Sequence, residues 1–407
     1  MMAVTKEDPI IVDAVVVGAG PAGLTAALAL AGAGLRTILL GRAAPVDNRT
    51  TALLSSSVMA LEALGVWEAC REHGAPLKRL RIVDDTQRLF RAPEARFAAK
   101  EINLDAFAWN IENRHLVAAL EDRAEALSDL IRIRDDARAV DLSSDHVSVR
   151  TAGGQTIQAA LAVASDGAKS ICRQAAGIET KGWSYPQIAL TFTVAHSRPH
   201  DDISTEFHTE SGPFTTVPLP GLRSAIVCVV SPDEAEHIRA LAGEALDQEI
   251  ERRSHGILGK VSVQPGSGSF PLAVETAKTF AANRVMLVGE SGHRIPPIGA
   301  QGLNLGLRDA ATVAELVISA RHDGDDIGGD EVLARYERMR RADVASRTFA
   351  VDLLNRSLLS SFLPLQGMRG IGLYLLNSFG PLRRAVMREG VAPVTSQPRL
   401  MRGEQLV

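Results

Sequence analysis

Three glycines, Gly18, Gly20 and Gly23, stand as G-x-G-x-x-G within DAVVVGAGPAGLTAALAL, Asp13 to Leu30. In a strand-to-helix turn the first glycine permits the tight bend. The second lets a pyrophosphate approach the backbone, and the third lets helix pack on strand. Free amides at the start of the helix, from Ala22 on, favour the phosphate charge, with Pro21 at the first helical position. The run AVVV before the turn and AALALA after it supply the context this motif needs. A carboxylate usually ends the second strand and binds ribose hydroxyls. Here RTILLGRAAP puts Gly41 at that place, followed by Arg42. A missing acid beside an arginine also suits an NADP site, so these residues leave open whether a nicotinamide or a flavin dinucleotide binds.

Two further stretches bear on that choice. VASDGAKSICR, Val163 to Arg173, ends a strand-like run in Asp166-Gly167, with Ser170 and Arg173 following. By itself this is a simple turn. RVMLVGESGHRIPPIGAQGLNLGLRDAATVAELV, Arg284 to Val317, ends a buried strand at Gly289-Glu290, and a helix begins near Gln301-Gly302. The Gly/Pro-rich loop between them suits backbone wrapped closely around a flat ligand. Amides at the helix start would favour a developing negative charge. His293 lies in this loop, three residues after Glu290. It reads either as a group at a pocket mouth that polarises a hydroxyl, or as a loop histidine satisfying backbone carbonyls. His196 and His200, in HSRPH, have no carboxylate or cysteine at ligand spacing and read as a solvated loop rather than a metal site.

The elements that must position these residues alternate between two patterns. Residues ~10–80 read as β-α-β and then helix. LKRLRIVDDTQRLFRAP reads as a hairpin, RHLVAALEDRAEAL as helix, and VSVRTAGGQTIQAALAVASDG as strands around a Gly153-Gly154 turn. From about Tyr185 to Pro271, QIALTFTVAH, GPFTTVPL and RSAIVCVV predict an antiparallel sheet. RVMLVGE then returns to the first unit, and the remainder is mainly helical.

Together the three motifs resemble the FAD-dependent aromatic hydroxylases, the group that includes para-hydroxybenzoate hydroxylase. The closer similarity is to the ubiquinone-biosynthesis branch, and it covers nearly the whole chain. It is carried by DNRTTALLSSSVMALEALGVW (Asp47 to Trp67), by GAQGLNLGLRDA and by the tail beginning YERMRRADVASRTFAV. The resemblance implies an α/β fold: an FAD-binding Rossmann-like domain with an inserted antiparallel β-sheet substrate domain and C-terminal helices. The expected boundaries are 9–76, 101–184 and 281–350 for the FAD-binding parts, 77–100 for a substrate-domain hairpin, 185–280 for the sheet and 351–407 for the helical tail.

Carried over by residue, the resemblance implies that Gly18, Gly20 and Gly23 face the FAD pyrophosphate. Arg49 neutralises phosphate or lies near the ring. Asn113, in ENRHL, is an amide contact to the flavin, and Asp166 is the acid of the Asp-Gly element. Gly289-Glu290 stands where the family has Gly-Asp. Pro297, Gly299, Gln301, Gly302, Leu303 and Asn304 would line the ring. Arg42 or backbone groups would replace the missing ribose acid. NAD(P)H would bind without a nucleotide fold of its own and reduce the flavin. O2 would then deliver one atom to an electron-rich, polyprenylated phenol, in a pocket that excludes water.

Composition narrows the alternatives. A net charge of −4 with no basic, aromatic-interleaved block argues against nucleic acid. Three dispersed cysteines, Cys70, Cys172 and Cys228, argue against dithiol chemistry and suit a reducing compartment. MMAVTKEDPIIV does not read as a signal peptide, and no apolar run is long enough to span a bilayer. A cytoplasmic protein is expected, or one peripheral at the inner membrane. The apolar tail LLNRSLLSSFLPLQGMRGIGLYLLNSFGPLRRAVM, with Arg369, Arg383 and Arg384, fits either a lipid-facing surface or helices packed on the FAD domain or another subunit. Hydroxylation of a soluble aromatic, or an accessory flavoprotein in a quinone-biosynthesis complex, are the competing functions. An NADP-dependent reductase without flavin follows from Gly41-Arg42 alone.

Overall fold

The computed structural model describes residues 8–43, 47–87, 91–359, 379–391 and 397–406. Its centre is a parallel sheet. Val285–Leu287, Thr156–Ala164, Ile10–Val17, Thr37–Leu40 and Leu130–Ile133 lie side by side in that order, each parallel to the next. The unbroken apolar runs TILL and AVVV are what a strand covered on both faces requires. An antiparallel meander, Ala137–Leu142 and Val147–Thr151, joins Thr156–Ala164 at its N-terminal half, and Gly154 (φ +92°) makes the turn.

The helix Pro21–Gly32 is buried from Gly23 to Ala31. It is apolar all round because it lies between this sheet and the helix Gln301–Asp323. Small residues set the spacing: a Cβ added at Gly306 would lie 3.2 Å from the Ala22 Cβ.

A second, nine-stranded sheet is built mainly on Thr180–His196, which pairs antiparallel with both Arg223–Val230 and Gly268–Ala277. This strand starts at Thr180, before the expected Tyr185, and is irregular between Ser184 and Ile188, where Pro186 has no amide to give the ladder. Strands Arg79–Asp84 and Ala95–Ala98 extend the other edge, Arg79–Asp84 running parallel to Ile203–His208. The inserted region also carries two helices that strand patterning does not reveal, Pro232–Ala240 and Glu244–Arg253. Their Ala235, Ile238 and Ile250 cover one sheet face against Phe207, Phe214 and Ile226.

A three-stranded sheet, Thr50–Leu54, Ala108–Glu112 and Gly74–Leu77, connects the two larger ones. Asn110 Nδ2 donates to the Pro218 carbonyl (2.9 Å), and Arg223 donates to the buried Glu112 carboxylate (3.1 Å). The helix Asp330–Leu359 also bridges them. Its Tyr336 hydroxyl donates to the Leu287 carbonyl of the parallel sheet, and its Asp352 accepts from Tyr185 of the large one.

Residues 360–378 of the tail, Arg369 among them, lie outside the described residues. The described parts of the tail touch the rest of the chain on one side, while Leu353, Phe379, Leu382 and Val386 are exposed. The helix Gly380–Val391 sets Met387 against Ala95, Phe97 and Ile102, and Arg383 pairs with Glu101 (2.6 Å). Leu400 and Met401 join the main core. Among the described residues no helix is long and apolar enough to cross a membrane.

Candidate functional site

The carboxyl ends of the parallel strands bring the three motifs together. Gly18 follows Val17 directly and has φ +109°; a Cβ there would lie 2.3 Å from the Ser165 carbonyl oxygen. Gly23 is equally closed, with a Cβ falling 2.0 Å from the Gly18 oxygen. Ser165, just before Asp166, locks this arrangement by donating to the carbonyls of Val17 and Gly18 (2.9 and 2.8 Å). Gly20 differs: a Cβ would meet nothing within 4 Å. It is the N-cap of a helix with no side-chain cap and no acid in its first turn. Those amides are left for an anion. At Gly18 and Gly23 the space where a side chain would stand is filled by backbone and Ser165, whereas at Gly20 it is open. Ala22 likewise packs on Gly306 and Gly289.

Gly41 has a steric cause. A Cβ there would lie 2.7 Å from the Ala19 amide nitrogen and 3.0 Å from its Cβ, so the glycine turn excludes a side chain. The adjacent charge comes from Arg42, which is exposed and paired with Asp136 (2.7 Å) beyond the end of Leu130–Ile133. Pro21, half-buried, occupies the first turn beside this cradle.

Asp166 caps the short helix Ile171–Ala175, accepting from the amides of Ile171 (2.9 Å) and Cys172 (3.3 Å). Its second oxygen is buried and makes no hydrogen bond. Arg173, buried, donates to the carbonyls of Ala168 (2.7 Å) and Ser291 (2.8 Å), tying the second motif to the third.

At the third motif Gly289 takes φ +64° and donates its amide to Asp309 (2.8 Å). Glu290 points out to solvent. Pro297, Gly299 and Gly302 are exposed, while Gln301 and Leu303 are half-buried. Ala300, a non-glycine residue at φ +53°, starts the long helix, which again has no side-chain cap. A Cβ at Gly302 would meet nothing within 4 Å. Gln301 donates to the Gly299 carbonyl.

Asn304, His293 and His196 are placed other than expected, and Asn113 is engaged within the chain. Asn304 is buried and uses its whole amide in the scaffold: it accepts from Leu54 N (2.9 Å) and Ser57 Oγ (2.7 Å) and donates to the carbonyls of Ala52 (2.9 Å) and Ala300 (2.6 Å). It therefore staples the helix start to the three-stranded sheet instead of lining a ring. Asn113 accepts from Thr51 Oγ1 (2.7 Å) and donates to Asp47 (2.8 Å), which in turn grips Arg49 through two bonds (both 2.8 Å). Burial alone would raise the Asp47 pKa, but Arg49 and Asn113 hold it below the usual carboxylate value. Arg49 lies over the Phe270 ring (5.3 Å) and within electrostatic reach of Glu290.

His293 is at neither place foreseen for it. It is 2% exposed, and its Nε2 bonds Asp309 (2.7 Å), which is itself bonded to Arg340 Nε (2.6 Å). A ring sealed under the turn cannot act on a substrate hydroxyl at the mouth. His196 is also buried, not solvated: its nitrogens meet the Arg198 carbonyl and Ser224 Oγ, and His200 meets the Leu219 carbonyl.

Asp309, Arg340, Asp136 and Ser165 have no assigned part in the sequence reading. The signal for the first was Arg308-Asp309 inside LGLRDAATVAELV, two adjacent charges among mostly apolar residues, which demand partners where the helix is buried. Asp309 finds them. Burial would raise its pKa, yet the Arg340 charge and the hydrogen bond from His293 hold it below the usual carboxylate value.

Two uncapped helix N-termini, each with an open glycine, thus lie at the carboxyl ends of one parallel sheet. The free amides of these two termini suit the pyrophosphate and the ring end of a dinucleotide. The chain belongs to the FAD binding domain family, whose model matches residues 11–350. Ubiquinone hydroxylase UbiL of Rhodospirillum rubrum is 32% identical, covering 97% of this chain and 94% of that protein. The 3-demethoxyubiquinol 3-hydroxylase of Escherichia coli is 29% identical, covering 92% and 96%. Among solved structures, p-nitrophenol 4-monooxygenase PnpA from Pseudomonas putida DLL-E4 shares the fold, with a TM-score of 0.78 at 20% identity over 94% of this chain and 98% of that one.

Proposed function

We propose that the protein is an FAD-dependent, NAD(P)H-using monooxygenase that hydroxylates a polyprenylated phenol on the route to ubiquinone. The observation that carries this reading is end-to-end similarity to a ubiquinone hydroxylase, covering 97% of the chain. The two open helix N-termini fit the cofactor such a reaction needs. When bound, FAD supplies the electrons with which O2 yields one ring hydroxyl and one water at the expense of NAD(P)H.

The chain's own groups bind and orient. Amides of Gly20, Ala22 and Gly23 take the pyrophosphate, Pro21 between them having no N–H to give. Asp136, held by Arg42, accepts from the adenosine ribose in place of the acid that Gly41 excludes. Glu290 accepts from the ribityl chain, and Arg49 offsets negative charge near it. Amides at Gln301 to Leu303 stabilise negative charge on the ring. The junction of the large and three-stranded sheets is aliphatic, through Ala52, Leu54, Leu77, Ala108 and Val217, and this suits a dry wall beside a phenol. Exposed Phe349, Leu353, Phe379, Leu382 and Val386 support a peripheral contact with lipid, where a prenylated substrate resides.

Deleting the gene and profiling lipid extracts by mass spectrometry tests the reading. A polyprenylated phenol lacking one ring hydroxyl should accumulate. The wild-type gene should clear it, whereas Gly20→Val should not. Normal ubiquinone with no accumulating intermediate would reject the pathway. Co-sedimentation with anionic vesicles tests the lipid contact.

A further inference from the structure

The turn from Gly289 to His293 is sealed on every side but one. Gly289, Ser291, Gly292 and His293 are buried, and Glu290 alone is exposed. A Cβ at Gly292 would lie 3.2 Å from both Leu287 and Phe280. Ser291 accepts from Val288 N (3.0 Å) and donates to the Ala164 carbonyl (2.5 Å), while Arg173 holds the Ser291 carbonyl (2.8 Å). Both ends of the turn meet on a single atom. Asp309 Oδ2 accepts from the Gly289 amide (2.8 Å) and from His293 Nε2 (2.7 Å). Its other oxygen accepts from Arg340 Nε (2.6 Å). The three side chains are 1% (Asp309), 1% (His293) and 3% (Arg340) exposed.

An apolar trio of similar volume would hold the two helices together at least as well as this buried ion cluster. It could not accept hydrogen bonds from both ends of a five-residue turn. The cluster therefore fixes geometry more than it adds stability, and the side chain whose place it fixes is Glu290.

Resting on the FAD reading above, we propose that Asp309 is the positioning residue of this turn, completed by the N–H that His293 donates to it. The carboxylate sets the width of the turn, and with it the position of the Glu290 carboxylate relative to Arg49. The clamp is preformed, so FAD meets a fixed acceptor instead of ordering a loose loop, and cofactor retention depends on it.

FAD affinity, measured by flavin fluorescence on flavin-stripped full-length protein, tests the clamp. His293→Leu removes the donor; His293→Gln returns an N–H at similar reach. His293→Leu should weaken FAD about tenfold or more, and His293→Gln should recover to within about threefold, with similar unfolding midpoints for the two flavin-free variants. Should His293→Leu fold poorly, hydrogen exchange across Val288–His293 in flavin-free wild type decides. Slow exchange is expected of a preformed clamp, and fast exchange would overturn it. Wild-type affinity in His293→Leu would also overturn it, as would equal weakening in both variants with equal loss of stability. Absence of FAD binding in the wild type would remove the functional reading and this proposal together. Wild-type binding with unaffected variants would remove the clamp alone.

Discussion

Two turns leave the same parallel sheet with one strand between them, and both begin with a glycine in the left-handed region: Gly18 after Ile10–Val17 and Gly289 near the end of Val285–Leu287. The first is held by sterics and a single hydroxyl. Backbone atoms fill the space where side chains would stand, and Ser165 fastens the carbonyls. The second is held by hydrogen bonds to charged side chains: Asp309, bonded by His293 and Arg340 beneath the turn, and Arg173 beside it. A site for phosphate needs only main-chain amides at close range, so glycine and helix geometry suffice there. A site that must aim one carboxylate needs side chains from three elements far apart in sequence.

The sharpest break in this comparison lies within the first turn. Gly18→Ala should destabilise by roughly 4 kcal/mol or more, because its Cβ meets main chain at 2.3 Å and φ is positive. Soluble yield and urea unfolding check it. Gly20→Ala should stay within about 1 kcal/mol of wild type, since its Cβ meets nothing, yet bind FAD more weakly. Equal loss of stability in both would mean that Gly20 too is a packing glycine.

The second turn should break through its charges. Arg340→Leu leaves Asp309 buried without its main counter-charge and should cost about 3–5 kcal/mol near neutral pH. The pH dependence follows from Asp309, whose pKa in the folded wild type lies below 3.8. A depressed pKa contributes stability that is present above 3.8 and lost as pH falls through the lower folded value. In Arg340→Leu burial is less opposed, so the carboxyl protonates more readily. The gap between wild type and variant should narrow as pH drops through and below 3.8. Urea unfolding at several pH values measures it; a constant gap would place the effect of Arg340 elsewhere.

Asn304→Ala comes next, at about 2–3 kcal/mol, from the partners it strands on Leu54, Ser57 and Ala52. This residue also shows what sequence can and cannot convey. Gly18-x-Gly20 between an apolar run and an alanine-rich helix announces its own geometry, because cause and effect lie within a dozen residues. Gly41 was legible only as a missing acid; its cause, the Ala19 backbone, lies in a different turn. Asn304 and Asn113 were legible as polar residues in the right motifs. Their amides nonetheless bond strand Thr50–Leu54, separated from Asn304 by 250 residues at Leu54, and no spacing rule predicts that. The strand pattern of the large sheet was visible in its threonine and valine runs. Its two covering helices were not, since EALDQEIERR buries only Ile250 and reads as solvated.

The smallest effect separates strain from positioning. Ala300 sits at φ +53° immediately after Gly299 at +68°, so the chain passes through two left-handed residues just before the helix that points its free amides into the site. An L-residue in that region costs about 1–2 kcal/mol, and glycine avoids the cost while losing more freedom on folding. Ala300→Gly should therefore stabilise the flavin-free protein by up to about 1 kcal/mol, read as a shift of the urea midpoint at unchanged slope. FAD affinity decides what the strain does. If Asn304, through its bond to the Ala300 carbonyl, already fixes the helix start, affinity should stay within about twofold of wild type. A clear loss of affinity alongside the gain in stability would show that the alanine methyl itself holds the loop in its binding shape, and that this end of the site uses steric stiffness as well as charge.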